Sequence, residues 1–219
     1  MENRLDKFFK EIIGKDRIIG IEKKLDYSVM ILFCEKDGEL NILFEKRAKD
    51  IAQGGEISFP GGRKEKSDKD YIETALRETF EEIGISKEII DRVQHYGRIF
   101  LPTGQVIDIQ LGYIHNFSFE KLNINSDEVE EILLVPLKFF IETEPNIEMI
   151  KVENRPNYMV GDKMKLFPVE ELRIPKRYKK PWGHEREVYF YNYKNEVIWG
   201  ITGEIIYSLI KDIKNIEWR

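Results

Sequence analysis

Residues Phe59 to Ile85, FPGGRKEKSDKDYIETALRETFEEIGI, decide the fold. Pro60, Gly61 and Gly62 stop any preceding strand. Ser67 or Asp68 is placed to cap a helix with Asp70 in its first turn, and Gly84 is placed to end that helix in a left-handed cap. The spacing predicts a helix over 69–83. Its apolar residues Ile72, Ala75, Leu76, Phe80 and Ile83 recur every three or four positions and predict one packing stripe. On the other side Glu78, Glu81 and Glu82 stand at i, i+3 and i+4, within one arc of the helix. Like charges at these spacings destabilise a helix by about 0.2 to 0.5 kcal/mol per pair, and acids in a last turn oppose the macrodipole. Such a cluster is either a solvated charged face or a set of oxygen ligands. The ligand reading calls for a hard divalent cation, magnesium or manganese, with substrate phosphates completing its shell.

Gly62, Arg77, Glu78, Glu81, Glu82 and Gly84 together resemble the Nudix box, G-x5-E-x7-R-E-U-x-E-E-x-G-U, in which U is a bulky apolar residue. The right half matches as Arg77 to Ile85. In the left half Asp68 stands where the first Glu is expected, and eight residues rather than seven separate it from Arg77. That variant is similar to the coenzyme A pyrophosphatase branch of the family. Upstream, Arg47-Ala48, Gly55 and Phe59-Pro60-Gly61-Gly62 resemble the segment that accompanies the box in that branch, with Ile51 in the place of a second Arg. Near the C-terminus, VIWGIT from Val197 to Thr202 resembles the branch's IWG-x-T stretch.

The resemblance implies an α/β Nudix fold, an α/β/α sandwich around a mixed β-sheet. It also implies metal-dependent hydrolysis of a phosphoanhydride in a nucleoside-diphosphate-linked small molecule, coenzyme A or its derivatives first, with ADP-ribose, nucleotide sugars or nucleoside triphosphates as the alternative. Mg2+ or Mn2+ on Glu78, Glu81 and Glu82 would neutralise the bridging oxygens and activate water. Arg77 would fix one of the box carboxylates. Glu128, in the acidic loop NINSDEVEE over 123–131, is the candidate general base, or else a box glutamate such as Glu81 or Glu82. Arg47, Gly61 and Gly62 are the candidate substrate contacts, the glycines because backbone can approach phosphate without a side chain in the way. A Nudix-fold nucleotide-binding module without turnover is the reading from a different class.

The 219 residues suffice for one domain with a sizeable core, expected over 25–219 behind an N-terminal helical extension over 1–24. In that extension Phe8, Phe9, Ile12 and Ile13 predict a short helix, available to cover the core or to build a homodimer. A net charge of -5 argues against a nucleic-acid partner, which needs clustered excess Lys and Arg. No signal-peptide core and no membrane-length apolar run stand in the sequence, and its single cysteine, Cys34, excludes an internal disulfide, so a cytoplasmic protein is expected.

Runs 27–34 and 40–45 around Asp37-Gly38 predict a hairpin. Runs 96–100, 106–114, 147–152, 187–193 and 197–199 predict further strands, 86–93 a short helix and 202–213 a final helix. Trp199, with an apolar neighbour on each side, is expected to pack in the core. PKRYKKPWGH, 175–184, is a basic and aromatic cluster that reads as a solvated loop or as a cover over the site.

Overall fold

The computed structural model describes residues 25–216. The predicted N-terminal helix, and with it the choice between core cover and homodimer, lies outside these residues.

The hairpin forms as β1 (Leu25–Lys36) and β2 (Glu39–Arg47), joined by Asp37-Gly38, both at positive φ. β1 is the centre of a seven-stranded mixed sheet, because its apolar run is buried on both faces. On one edge it pairs in parallel with β6 (Gln105–Ile114), which in turn pairs antiparallel with β5 (Ile90–Phe100). On its other edge it pairs with β2 only from Leu32 onward. Below that point β1 and β2 splay apart. The short strands β3 (Ile57–Ser58) and β4 (Gly61–Arg63) fill the wedge, β3 on β2 and β4 on β1. β7 (Val129–Pro136) closes the far edge against β2.

Parity along the strands sorts two cores. Met30, Leu32 and Leu43 face the box helix α1 (Tyr71–Ile83) and meet its Ala75 and Ile83. Ile31, Ile42 and Phe44 face the opposite way. There they meet Phe140 of the short helix α2 (Leu137–Glu142) and Ile205, Ile206 and Leu209 of the final helix α3 (Gly200–Lys214). A three-stranded sheet lies on that second side, made of β8 (Asn146–Asn154), β11 (Trp182–Tyr193) and β12 (Glu196–Trp199), while β9 (Tyr158–Val160) and β10 (Lys163–Lys165) form a separate hairpin. Helices on both faces of a mixed sheet are the expected sandwich. Among the described residues no helix is long and apolar enough to cross a membrane.

Several local expectations are corrected. The N-cap of α1 is Asp70, whose side chain accepts from the Glu73 N–H at 2.9 Å. Asp68 cannot serve, because Arg77 holds its carboxylate. Gly84 does end the helix, at φ 72, with its N–H on the Phe80 carbonyl. The packing stripe is rotated. Thr74, Ala75, Thr79, Glu82 and Ile83 are buried, whereas Phe80 is 57% exposed. Turning the acids toward the wedge carries the Ile72–Phe80 edge outward. The short helix predicted over 86–93 shrinks to one 3-10 turn, Lys87–Ile89, because Ile90 and Asp91 are already paired with β6. The 175–184 segment is a 3-10 turn, Lys176–Lys179, followed by the start of β11, and it contributes nothing to the wall of the main cleft described below. Cys34 is buried and its thiol is pushed up to about 12 by that burial, an inert thiol as expected.

Candidate active site

The wedge between β1 and β2 opens into a cleft of about 620 Å³. Gly61 and Gly62 form one wall with Glu78 and Glu82 of α1; Arg47 and Glu128 stand on the same cleft, and Ile51, Trp199 and Ile201 supply an apolar side. Three separate local features bring these groups together.

First, β4 runs against β1 and places Gly61 and Gly62 directly under α1. The Gly61 N–H donates to Glu82 Oε2 at 2.8 Å. A Cβ on Gly62 would lie 2.4 Å from Glu78 Cδ, so only glycine lets this carboxylate reach the wedge. Gly62→Ala is expected to push the Glu78 carboxyl aside. Catalytic efficiency should then fall by about 10- to 100-fold, as for other small misplacements of a reacting group, with little change in melting temperature. Activity within twofold of wild type would show that Glu78 has no fixed place in the reaction.

Second, Arg77 ties the acids of the box to the turn before the helix. Its guanidinium donates to both Asp68 oxygens at 3.0 Å, to Glu81 Oε2 at 2.8 Å and to the Arg63 carbonyl at 3.0 Å, and it lies 2.9 Å from Glu78 Oε1. Asp68 also accepts from the Glu65 N–H and the Thr74 hydroxyl. The side chain of Asp68 is only 3% exposed, and the hydrogen bonds from Arg77 hold its carboxyl well below the usual range.

Third, the loop carrying Glu128 is pinned to the end of α1. Asn125 N–H donates to the Glu82 carbonyl at 2.8 Å, Glu128 N–H to the Asn125 carbonyl at 3.0 Å, and Ala48 N–H to the Glu128 carbonyl at 2.8 Å. Glu128 is thereby fixed beside Arg47, across 80 residues of sequence.

The structure therefore brings together Arg47, Gly61, Gly62, Glu78, Glu82 and Glu128 of the predicted set. Glu81 is not among them, because its half-exposed carboxylate is turned to Arg77 and lies off the cleft. Among the described residues no three His, Cys, Asp or Glu side chains form a ready-made metal cage. Trp199 is also corrected: it is 41% exposed and stacks on Phe190 at 5.6 Å while lining the cleft, because alternation along β12 turns Ile198 inward and its neighbour Trp199 outward.

One acid escaped the sequence reading. Glu45 of β2 is 0% exposed, accepts from Ser58 Oγ at 3.0 Å and lies 3.7 Å from the Arg47 guanidinium. Its side chain and that of Glu82 approach within hydrogen-bonding reach. The signal was parity, since Glu45 is two positions beyond Leu43 and shares its α1-facing side. Burial, followed by the neighbouring acid, pushes the carboxyl of Glu82 far above its ordinary value; burial does the same to Glu45, and to Glu78 more weakly.

Comparison with known proteins agrees with this geometry. The NUDIX domain family matches residues 24–158, more than half of the chain. Over 120 residues the chain is 31% identical to the peroxisomal coenzyme A diphosphatase NUDT7 of Mus musculus, covering 54% of this chain and 50% of that protein. Over 122 residues it is 28% identical to the mitochondrial coenzyme A diphosphatase NUDT8 of Homo sapiens, covering 53% and 50%. A longer match, 27% over 187 residues, covers 84% of this chain and 71% of Nudix hydrolase 3 of Caenorhabditis elegans. The matched region thus spans about half the length of the mouse and human relatives. Among solved structures, a MutT/nudix family protein from Enterococcus faecalis shares the fold, with a TM-score of 0.50 at 18% identity over 98% of this chain and 71% of that one. With a box helix whose acids converge on a Gly-Gly wedge, and with the family match across that same region, the chain belongs to the NUDIX domain family.

Proposed function

We propose that the cleft hydrolyses the phosphoanhydride bond of a nucleoside-diphosphate-linked small molecule, coenzyme A or one of its derivatives, giving 3',5'-ADP and 4'-phosphopantetheine. The observation that carries this reading is the convergence of Glu78, Glu82 and Glu128 on one glycine-walled cleft beside Arg47. Acids facing one space, these three with Glu56 on the same wall, repel a phosphate unless a cation joins them. The donor set fits a hard dication, being all oxygen, and the buried Glu45 Oε2 behind it has no hydrogen-bond partner. Glu78 and Glu82 would hold Mg2+ or Mn2+, with Glu81 reaching it only by leaving Arg77. Bound there, the ion supplies charge neutralisation on the phosphates and lowers the pKa of a water.

The chain's own groups supply the rest. Arg47 binds a phosphate oxygen at the cleft rim. Gly61 N–H fixes the rotamer of Glu82, and Arg77 fixes those of Glu78 and Glu81. Glu128 carboxylate accepts the proton of the attacking water, whose oxygen bonds to phosphorus while the bridging oxygen leaves. Ile51, Trp199 and Ile201 offer an apolar wall for the base or the pantetheine arm.

Support for coenzyme A comes from the diphosphatase relatives, at modest identity over half of their length. Ile51 on the cleft wall favours a second reading, a pyrophosphatase for ADP-ribose, nucleotide sugars or nucleoside triphosphates, since an apolar side chain at that position offers a phosphate no charge. Product analysis of coenzyme A, ADP-ribose and a nucleoside triphosphate with Mg2+ or Mn2+, using phosphorus NMR in oxygen-labelled water, separates these readings. Coenzyme A is expected to be preferred by about tenfold or more in kcat/KM, one unit of free-energy discrimination near 1.4 kcal/mol. Equal or faster turnover of ADP-ribose overturns that preference. Nucleotides that raise the melting temperature with no turnover of any substrate would make the protein a binding module instead.

A further inference from the structure

We propose that Glu45 joins Glu78 and Glu82 in the cation-holding group, reaching the ion from the strand side of the cleft, behind Glu82. This rests on the reading of the cleft given under Proposed function.

Glu45 sits where β1 and β2 part, on the α1-facing side of β2, directly beneath the wedge filled by β3 and β4. One of its oxygens has structural work. Oε1 accepts from Ser58 Oγ on the paired strand and faces Arg47 Nη1. Oε2 has none: it is buried and without a hydrogen-bond partner. Its nearest acidic neighbour is Glu82, itself 4% exposed and anchored through Oε2 to the Gly61 N–H. Two carboxyls of like charge, side by side and shielded from water, oppose folding strongly. The task of Oε1 alone would be met by a neutral glutamine, with the same length and an amide oxygen for Ser58. Arg47 accounts for the charge; the unpartnered second oxygen and its closeness to another carboxyl are what that task leaves unexplained.

A dication bound against Glu82 explains both. It gives Oε2 a partner, converts the repulsion between the two carboxylates into shared attraction, and adds an oxygen from a rigid strand to those from a helix. The competing occupant is a proton shared by the two carboxyls. The alternatives differ in sign: a cation ligand replaced by an amide weakens metal binding, whereas loss of a competing proton leaves it unchanged or tightens it.

The test is titration of the full-length protein with Mn2+, followed by the electron paramagnetic resonance signal of free Mn2+, without substrate. Glu45→Gln is expected to weaken Mn2+ binding by about tenfold or more, while raising the melting temperature of the metal-free protein. Glu144→Gln, which removes a surface acid paired with Lys214, should leave Mn2+ affinity within twofold of wild type. Glu45→Gln binding Mn2+ within twofold of wild type overturns the proposal, and so does a metal-free melting temperature that falls with affinity intact. Mn2+-soaked wild-type crystals give a second readout that needs no variant. Anomalous density in contact with a Glu45 oxygen supports the assignment, and an ion on Glu78 and Glu82 with Glu45 out of contact sinks it. Wild-type protein that binds no Mn2+ at all would instead overturn the reading of the cleft, so the two failures are distinguishable.

Discussion

Glu82→Gln is expected to lower turnover by about three orders of magnitude while making the metal-free protein more stable. The two effects have one cause. Glu82 is 4% exposed and faces Glu45, so its charge is costly until a cation compensates it. Glutamine keeps an amide oxygen for the Gly61 N–H, now 2.8 Å from the carboxylate, and removes only the charge. Loss of a charge that holds the ion should fall in the middle of the range of about 10²- to 10⁴-fold seen when a central catalytic group is removed. The sign with pH follows from the raised pKa. The folded state binds the Glu82 proton more tightly than the unfolded state, so its contribution is fully present below the ordinary carboxyl value of 4.5 and is lost as pH rises above it. Metal-free wild type should therefore melt at a lower temperature at pH 9 than at pH 6. Glu82→Gln should flatten that slope, and Mg2+ or Mn2+ should oppose it in wild type. Thermal melts at both pH values, with and without metal, check this alongside a coenzyme A turnover assay. A variant keeping more than a tenth of wild-type turnover would remove Glu82 from the reaction.

Arg77→Ala should cost stability rather than gain it. The guanidinium is the principal positive partner of Asp68, whose side chain is 3% exposed. Breaking a buried ion pair from one side leaves an uncompensated charge, at about 3 to 5 kcal/mol, which for a chain of this size lowers the melting temperature by roughly 6 to 20 °C. Arg77→Lys should recover only part of this, because one ammonium cannot span Asp68, Glu78, Glu81 and the Arg63 carbonyl together. Asp68→Asn combined with Arg77→Ala should be less damaging than the sum of the two single changes. The pH sign is opposite to that of Glu82. Because the Asp68 carboxyl is held low, its contribution is present above the ordinary value of 3.8 and is lost as pH falls through the lowered one. The gap between wild type and Arg77→Ala should persist from pH 5 to 9 and close only in strong acid. An unchanged melting temperature at neutral pH would mean that the ion pair lends the fold nothing.

The elements with strong local signals were legible in the sequence. Asp37-Gly38 turned where expected, Gly84 ended the box helix, and VIWGIT marked the junction of β12 and α3. What periodicity could not supply was the rotation of a helix about its own axis. The apolar row from Ile72 to Phe80 looked like the buried face, yet the demand that Glu78 and Glu82 meet the wedge turned Phe80 into solvent. The same blindness to tertiary context applies to Trp199, whose neighbour Ile198 packs in the core while its own ring borders the cleft. Glu45 was hidden for a second reason. A lone acid at the end of a strand looks solvated, and only the splaying of β1 from β2 reveals that its position is interior.

The pairing of β1 with β6, some 80 positions downstream, sets a timetable for synthesis. The central strand leaves the ribosome early and waits for its neighbour, a long-range closure of the kind that slows folding. Even then the apolar side of the cleft has only Ile51 until Trp199 and Ile201 emerge, the latter 87 residues after the end of β6. At about 5 to 20 residues per second that is a delay of roughly 4 to 17 s. Throughout it the nascent chain carries its acidic helix and its glycine turn but no enclosed chamber, so no fragment ending before α3 can possess the finished cleft.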